Sequence, residues 1–248
     1  MKSILIDIGN SSCCKAAVAD GTLFKSVHRV PKGMLRQTID DIVSVEGHVD
    51  TICMSSVAAQ DCELSEWLRG RCGSLVEVDF TTPMPITLDY DTPMTLGADR
   101  IAAAVGAHAM FPDRDCIVFD FGTALTVDFI DALGRFSGGN ISPGLSMRFN
   151  AVHQYTDRLP LVSPYRPERV GGKSTAEAIN NGVVLGIVFE VERYINSNPG
   201  CRVVFTGGDA LFFAKMLKTP IFVVCNLVLA GLSKIAQLNV QSRKGCYK

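Results

Sequence analysis

The chain has 248 residues, 47% of them hydrophobic and 20% charged, with 24 basic against 25 acidic side chains. That composition excludes a disordered or fibrous protein, and a net charge of -1 leaves no basic surplus to neutralise a nucleic-acid backbone. Nine cysteines, an odd number with no Cys-x-x-Cys pair, make no disulfide or zinc framework and read as small buried hydrophobes in a reducing cytosol.

Residues 3–8 are nearly all apolar and predict a buried strand that ends at Asp7-Ile8-Gly9-Asn10. The apolar run is too short for a secretory leader, and no apolar stretch reaches the ~18 residues of a membrane-spanning helix, so a cytoplasmic protein is expected. Cys14 to Ala19 and Leu23 to Val30, joined by Asp20-Gly21, continue the first strand as a meander. A helix over 37–45, a strand over 51–57, a helix over 62–71 and a strand over 75–78 follow. The prolines at 83, 85 and 93 predict a long irregular loop, and Leu96 to Met110 an Ala-rich helix stopped at Phe111-Pro112.

At Cys116 the opening repeats. An apolar run enters Asp120-Phe121-Gly122-Thr123, and a return strand over 127–130 and a turn at 132–134 come next. The two Asp-x-Gly elements lie nearly half a chain apart, which predicts a duplicated domain, with a boundary at 115/116: domains 1–115 and 116–248. The remainder reads as a Gly/Pro loop over 138–144, an irregular stretch over 159–172, a helix over 175–195, a strand over 202–206 and a last helix over 226–236.

Asp7-Ile8-Gly9-Asn10-Ser11-Ser12 offers what a polyphosphate needs: a carboxylate for a metal or its waters, a glycine for close approach, and consecutive polar groups. An ordinary hairpin turn uses the same residues; the repetition at Asp120 favours the phosphate reading. Asp99-Arg100, opening the Ala-rich helix, reads either as a partner of the helix dipole or as a base and an anion anchor. Thr206-Gly207-Gly208 is a third glycine turn after an apolar strand, suited to a base or ribose. Gly171-Gly172-Lys173-Ser174 lacks the earlier glycine of a phosphate-binding loop and reads as a helix start capped by Ser174 and Glu177. The dinucleotide fingerprint and the serine-hydrolase elbow are absent, and the four histidines, at 28, 48, 108 and 153, lack ligand spacing and read as surface or satisfied groups.

Taken together, Asp7-Ile8-Gly9-Asn10-Ser11, Gly97-Ala98-Asp99-Arg100, Asp120-Phe121-Gly122-Thr123-Ala124, the Gly138–Gly144 segment, Thr206-Gly207-Gly208 and Asn226-Leu227-Val228-Leu229-Ala230-Gly231-Leu232 resemble the type III pantothenate kinases in order and over nearly the whole chain. Ser11 stands where that family usually has threonine, and keeps the hydroxyl. The resemblance implies an α/β fold of two duplicated actin/hexokinase-like (ribonuclease H-like) domains, each with a mixed sheet, and an interdomain cleft. It implies phosphorylation of pantothenate by ATP in a homodimer, with Mg²⁺ and a monovalent cation, K⁺ or NH₄⁺. It further implies Asp99 as the base, and Tyr90, Gly97, Ala98, Asp99, Arg100 and Thr175 around pantothenate. Asp7, Ile8, Gly9, Asn10, Ser11, Ser12, Cys13, Cys14 and Thr123 would surround ATP. Asp120 would take the monovalent cation, and Asp7 the Mg²⁺ through phosphates or waters. Two competitors remain at this point: a kinase or phosphatase of the same superfamily with another substrate, and a catalytically silent nucleotide-binding regulator.

Overall fold

A computed structural model of the chain describes residues 1–57 and 61–245, which leaves Cys246 outside the described residues. Strands β1 (Lys2–Ile8), β2 (Cys13–Asp20) and β3 (Leu23–Pro31) form an antiparallel meander. Helix α1 (Leu35–Glu46) carries the chain back to β4 (Thr51–Ser56), parallel to β1. Helix α2 (Cys62–Arg69) does the same for β5 (Ser74–Glu77), parallel to β4. The sheet order is β3-β2-β1-β4-β5. Period-two alternation along β1 sends Ile4, Ile6 and Ile8 into a core with Ile39 and Ile42 of α1 and Leu68 of α2. Ser3, Leu5 and Asp7 therefore fall on the other face of that strand.

The Pro-rich stretch is not wholly irregular. It holds the two-residue strand β6 (Thr87–Leu88) and a 3-10 turn at Pro93–Thr95, ahead of α3 (Ala98–Met110). The second meander is β7 (Cys116–Phe121), β8 (Ala124–Ile130) and β9 (Arg135–Pro143). Here the expected Gly138–Gly144 loop is corrected: residues up to Pro143 are strand. The turn at 131–134, closed by Gly134 N–H on the Asp131 carbonyl, brings β9 beside β8, and ladder pairing outweighs the turn propensity of its glycines. Helices α4 (Leu145–Gln154) and α5 (Thr175–Ser197) lead to β10 (Arg202–Gly207), parallel to β7. A short α6 (Ala210–Ala214), β11 (Phe222–Val223), parallel to β10, and α7 (Leu227–Gly245) complete the chain.

The second sheet runs β11-β10-β7-β8-β9-β6. Without β6 it repeats the first sheet strand for strand, so the repeat seen in the Asp-x-Gly motifs is a repeat of topology. Its core joins Phe119, Phe121, Phe205 and Phe213 to Ile187, Val191 and Ile195 of α5. The contacts divide the chain into two compact units. One contains 1–113, 130–138 and the residues from Asn226 onward; the other contains 114–129 and 139–225. Among the described residues, no helix is long and apolar enough to cross a membrane.

Candidate active site

Within the first unit, Asp7 is the seventh residue from the start and the last polar one of β1, on the face opposite the isoleucine core. Its neighbour in the parallel register is Ser55 of β4. The Ser55 hydroxyl donates to Asp7 Oδ1 at 2.9 Å. Burial pushes the Asp7 carboxyl above the usual carboxylate range; the Ser55 bond opposes this, the Asp99 charge adds to it, and Lys15 offsets part of it. Asp7 and Asp99, far apart in sequence, thus lie within electrostatic reach of each other.

Asp99 occupies the first turn of α3, and its Oδ1 accepts the Arg100 backbone N–H at 2.8 Å. Burial raises its pKa too, against the lowering effects of that bond and of the Arg100 charge. A half-buried carboxylate with an elevated pKa is suited to accept a proton near neutral pH. Arg100 is only 6% exposed, and its guanidinium lies 5.7 Å from the centre of the Phe136 ring. Tyr90 meets the same ring edge-on at 5.9 Å. Tyr90, Arg100 and Phe136 therefore form one cluster, although they come from the Pro-rich stretch, α3 and β9.

The turn after β1 is solvent-facing at Asn10, Ser11 and Ser12. The Ser11 hydroxyl donates to the Cys13 carbonyl at 2.7 Å. Ile8 and Cys14 are buried in the first core, and the Cys14 thiol is directed to the Val30 carbonyl, so these two line the turn through backbone alone.

In the second unit, Asp120 is the last polar residue of β7, and Gly122 N–H closes a tight turn on the Ala124 carbonyl at 3.1 Å. Two glycines grip this turn. Gly144 donates to the Thr123 carbonyl at 3.1 Å, and any side chain there would overlap the Gly122 and Thr123 carbonyls. Gly207, at φ +92, lies so close to Asp120 Oδ1 and the Phe121 carbonyl that a Cβ would come within 2.5 Å of each. One carboxylate and a run of carbonyls is an oxygen donor set that fits a hard cation. Among the described residues no group of three or more His, Cys, Asp or Glu side chains could hold a metal alone. Arg148 of α4 donates through Nε to the Pro143 carbonyl at 2.8 Å, and through Nη2 to Ser142 and to Glu190 of α5, bracing the Gly144 turn. Thr175 is exposed at the start of α5. Ser174 caps that helix by accepting the Glu177 N–H at 3.2 Å, as its capping signature predicts.

Sequence reasoning missed Ser55, whose only signal is a polar residue at the end of an apolar strand, and Phe136, which has none. It also missed Asp209, whose carboxyl burial pushes up and whose N–H donates to the Phe121 carbonyl at 3.3 Å. Two blander expectations need correction. Cys62 and Cys225 are exposed, since they sit at a helix start and in a turn rather than in the sheets. Among the described residues the Nδ1 of His108 is buried with no hydrogen-bond partner, while the Nε2 side of the ring packs on Gly134.

The type III pantothenate kinase family profile matches residues 3–197. A Porphyromonas gingivalis protein named type III pantothenate kinase is 38% identical over 245 residues, covering 96% of this chain and 99% of its own. Two solved structures share the fold. The activator of 2-hydroxyisocaproyl-CoA dehydratase from Clostridium difficile, with ADPNP bound, aligns at TM-score 0.60 and 12% identity over 100% of this chain and 97% of its own. A hexokinase of the ROK type from Thermus thermophilus aligns at TM-score 0.52 and 13% identity over 97% of this chain and 100% of its own. The duplicated sheets are therefore of the actin/hexokinase-like kind. With the profile spanning most of the chain and a relative matching it nearly end to end, this protein belongs to the type III pantothenate kinase family.

Proposed function

We propose that the chain transfers the γ-phosphoryl group of ATP to the 4′-hydroxyl of pantothenate, giving 4′-phosphopantothenate and ADP, the first step of coenzyme A synthesis. The observation that carries the reading is the Asp99 carboxylate, half-buried at the start of α3 with its pKa raised by burial and with Arg100 beside it. Asp99 accepts the hydroxyl proton as the new O–P bond forms and the bond from the γ-phosphorus to the bridging oxygen breaks. Tyr90, Gly97, Ala98, Arg100 and Thr175 surround pantothenate, with Arg100 as anchor for its carboxylate. Ile8, Gly9, Asn10, Ser11, Ser12, Cys13, Cys14 and Thr123 hold ATP, mainly by backbone N–H groups and hydroxyls. Asp7 acts on Mg²⁺ through phosphates or waters, and Asp120 with the carbonyls of its turn takes K⁺ or NH₄⁺. Both ions supply neutralisation of phosphate charge. The working form is a cytoplasmic homodimer.

The deciding assay measures ADP release with pantothenate, with other alcohols and with no acceptor, and identifies the product by mass. Phosphopantothenate should form only with pantothenate. Equal ADP release without acceptor would make the protein a phosphatase, and no turnover with any acceptor would leave a nucleotide-binding regulator.

A further inference from the structure

We propose that Ser55 is a positioning residue for the nucleotide, acting through Asp7: it holds one carboxylate oxygen so that the other is presented to the magnesium–phosphate group. The inference rests on the reading of Asp7 given above. Parallel pairing of β1 with β4 puts Asp7 and Ser55 side by side in register, hence on one face of the sheet. Ser55 is fully buried, at 0% exposure. On the two strands, the positions two residues before it and before Asp7 are the buried apolar Cys53 and Leu5. Packing alone therefore asks for no hydroxyl at residue 55; a small apolar side chain would fill the place. Yet the hydroxyl is there, and it donates to Oδ1 at 2.9 Å.

The consequence is geometric. The last torsion of an aspartate is broad and two-fold, so an untethered carboxylate presents either oxygen in many orientations. With Oδ1 tied to β4, an interior strand of the sheet, that freedom is lost, and Oδ2 has no hydrogen-bond donor among the described residues. An ordered carboxylate oxygen is what ligation through a metal-bound water requires, since such groups must be held to a fraction of an ångström.

The test is binding rather than turnover. Titration calorimetry on Ser55→Ala should show magnesium–ATP bound about tenfold more weakly, the usual scale for a hydrogen bond to a charged group. ATP with magnesium removed by a chelator should bind within about twofold of wild type. The unfolding midpoint without ligand should fall modestly, because the bond to Asp7 is present in the unliganded chain too, with the fold retained. Ser55→Cys, which keeps the shape with a much weaker donor, should show the same metal-selective loss. No loss with magnesium, or an equal loss with and without it, would overturn the proposal and leave Ser55 a packing residue. Asp7→Asn separates the two readings. If it binds both forms of ATP as wild type does, the role of Asp7 fails; if it shows metal-selective loss while both Ser55 variants do not, only the present inference fails.

Discussion

At the scale of single residues, the base proposed for the phosphoryl transfer is Asp99. Removing its charge while keeping its shape, as Asp99→Asn, should lower kcat by roughly 10²–10⁴-fold, the contribution expected of a general base. Nucleotide affinity, measured by calorimetry, should change little; an Asn variant with near wild-type kcat would return Asp99 to the role of dipole partner. The raised pKa sets a sign for pH effects. Asp99 must be ionised to accept a proton, so kcat should fall as pH drops through its elevated pKa, above the usual carboxylate range, and that acid limb should vanish in the residual activity of Asp99→Asn. Stability should run the other way. Between the ordinary and the raised pKa the folded chain keeps a proton that the unfolded chain has lost, so stability declines as pH rises through that window. Asp99→Asn should therefore melt higher than wild type at neutral pH, with the gain disappearing below the ordinary carboxylate pKa; an equal or lower midpoint at neutral pH would refute the burial penalty.

At the scale of elements, α3 carries Asp99, and its depth is set by α7. The two helices pack at Gly106 and Gly231, where a Cβ on Gly231 would overlap the Ala102 carbonyl and one on Gly106 would lie 2.6 Å from the Leu227 carbonyl. Close backbone approach leaves no room for a methyl, so Gly231→Ala should cost about 1–3 kcal/mol by overpacking. It should also reduce kcat by moving the start of α3; an unchanged denaturation midpoint would show that the crossing relaxes freely. The Asp120 turn is likewise held from two sides, by Gly144 and Gly207. If Asp120 takes the monovalent cation as proposed, a turn gripped in this way holds its oxygens at fixed spacing. Rates should therefore be higher in K⁺ or NH₄⁺ than in Na⁺ at equal ionic strength, and equal rates in all three would remove the site from Asp120. Much of this scale was legible beforehand. The strands at 2–8 and 116–121 announce themselves by apolar runs ending at Asp-x-Gly, the strand at 13–20 by its Asp20-Gly21 turn, and Ser174 with Glu177 marks the start of α5. Helix α4 was not anticipated: Leu145, Phe149 and Val152 stand at helical spacing, but the glycines ahead of them masked the pattern.

At the scale of the whole molecule, the duplication places equivalent Asp-x-Gly turns at the ends of equivalent strands, β1 and β7, each flanked by a parallel neighbour. The homodimer is tested by sedimentation, which should give twice the 26.8 kDa chain mass at micromolar concentration; a single-chain mass would refute it. Local pattern was enough to determine most of the longer strands and helices, the repeated motif and the residue types that can handle a phosphate, because alternation, helical spacing and turn chemistry act over a few neighbours; it left out β6, α4, α6 and β11. Tertiary structure alone decided that Gly138–Pro143 is a strand and that Arg100 is buried against Phe136. It alone paired Asp7 with Ser55, and joined 130–138 and the residues from Asn226 to the first unit. Apart from the β8–β9 hairpin, each of these depends on partners dozens of residues away, and such pairing follows from strand register and helix contact, which no short window of sequence contains.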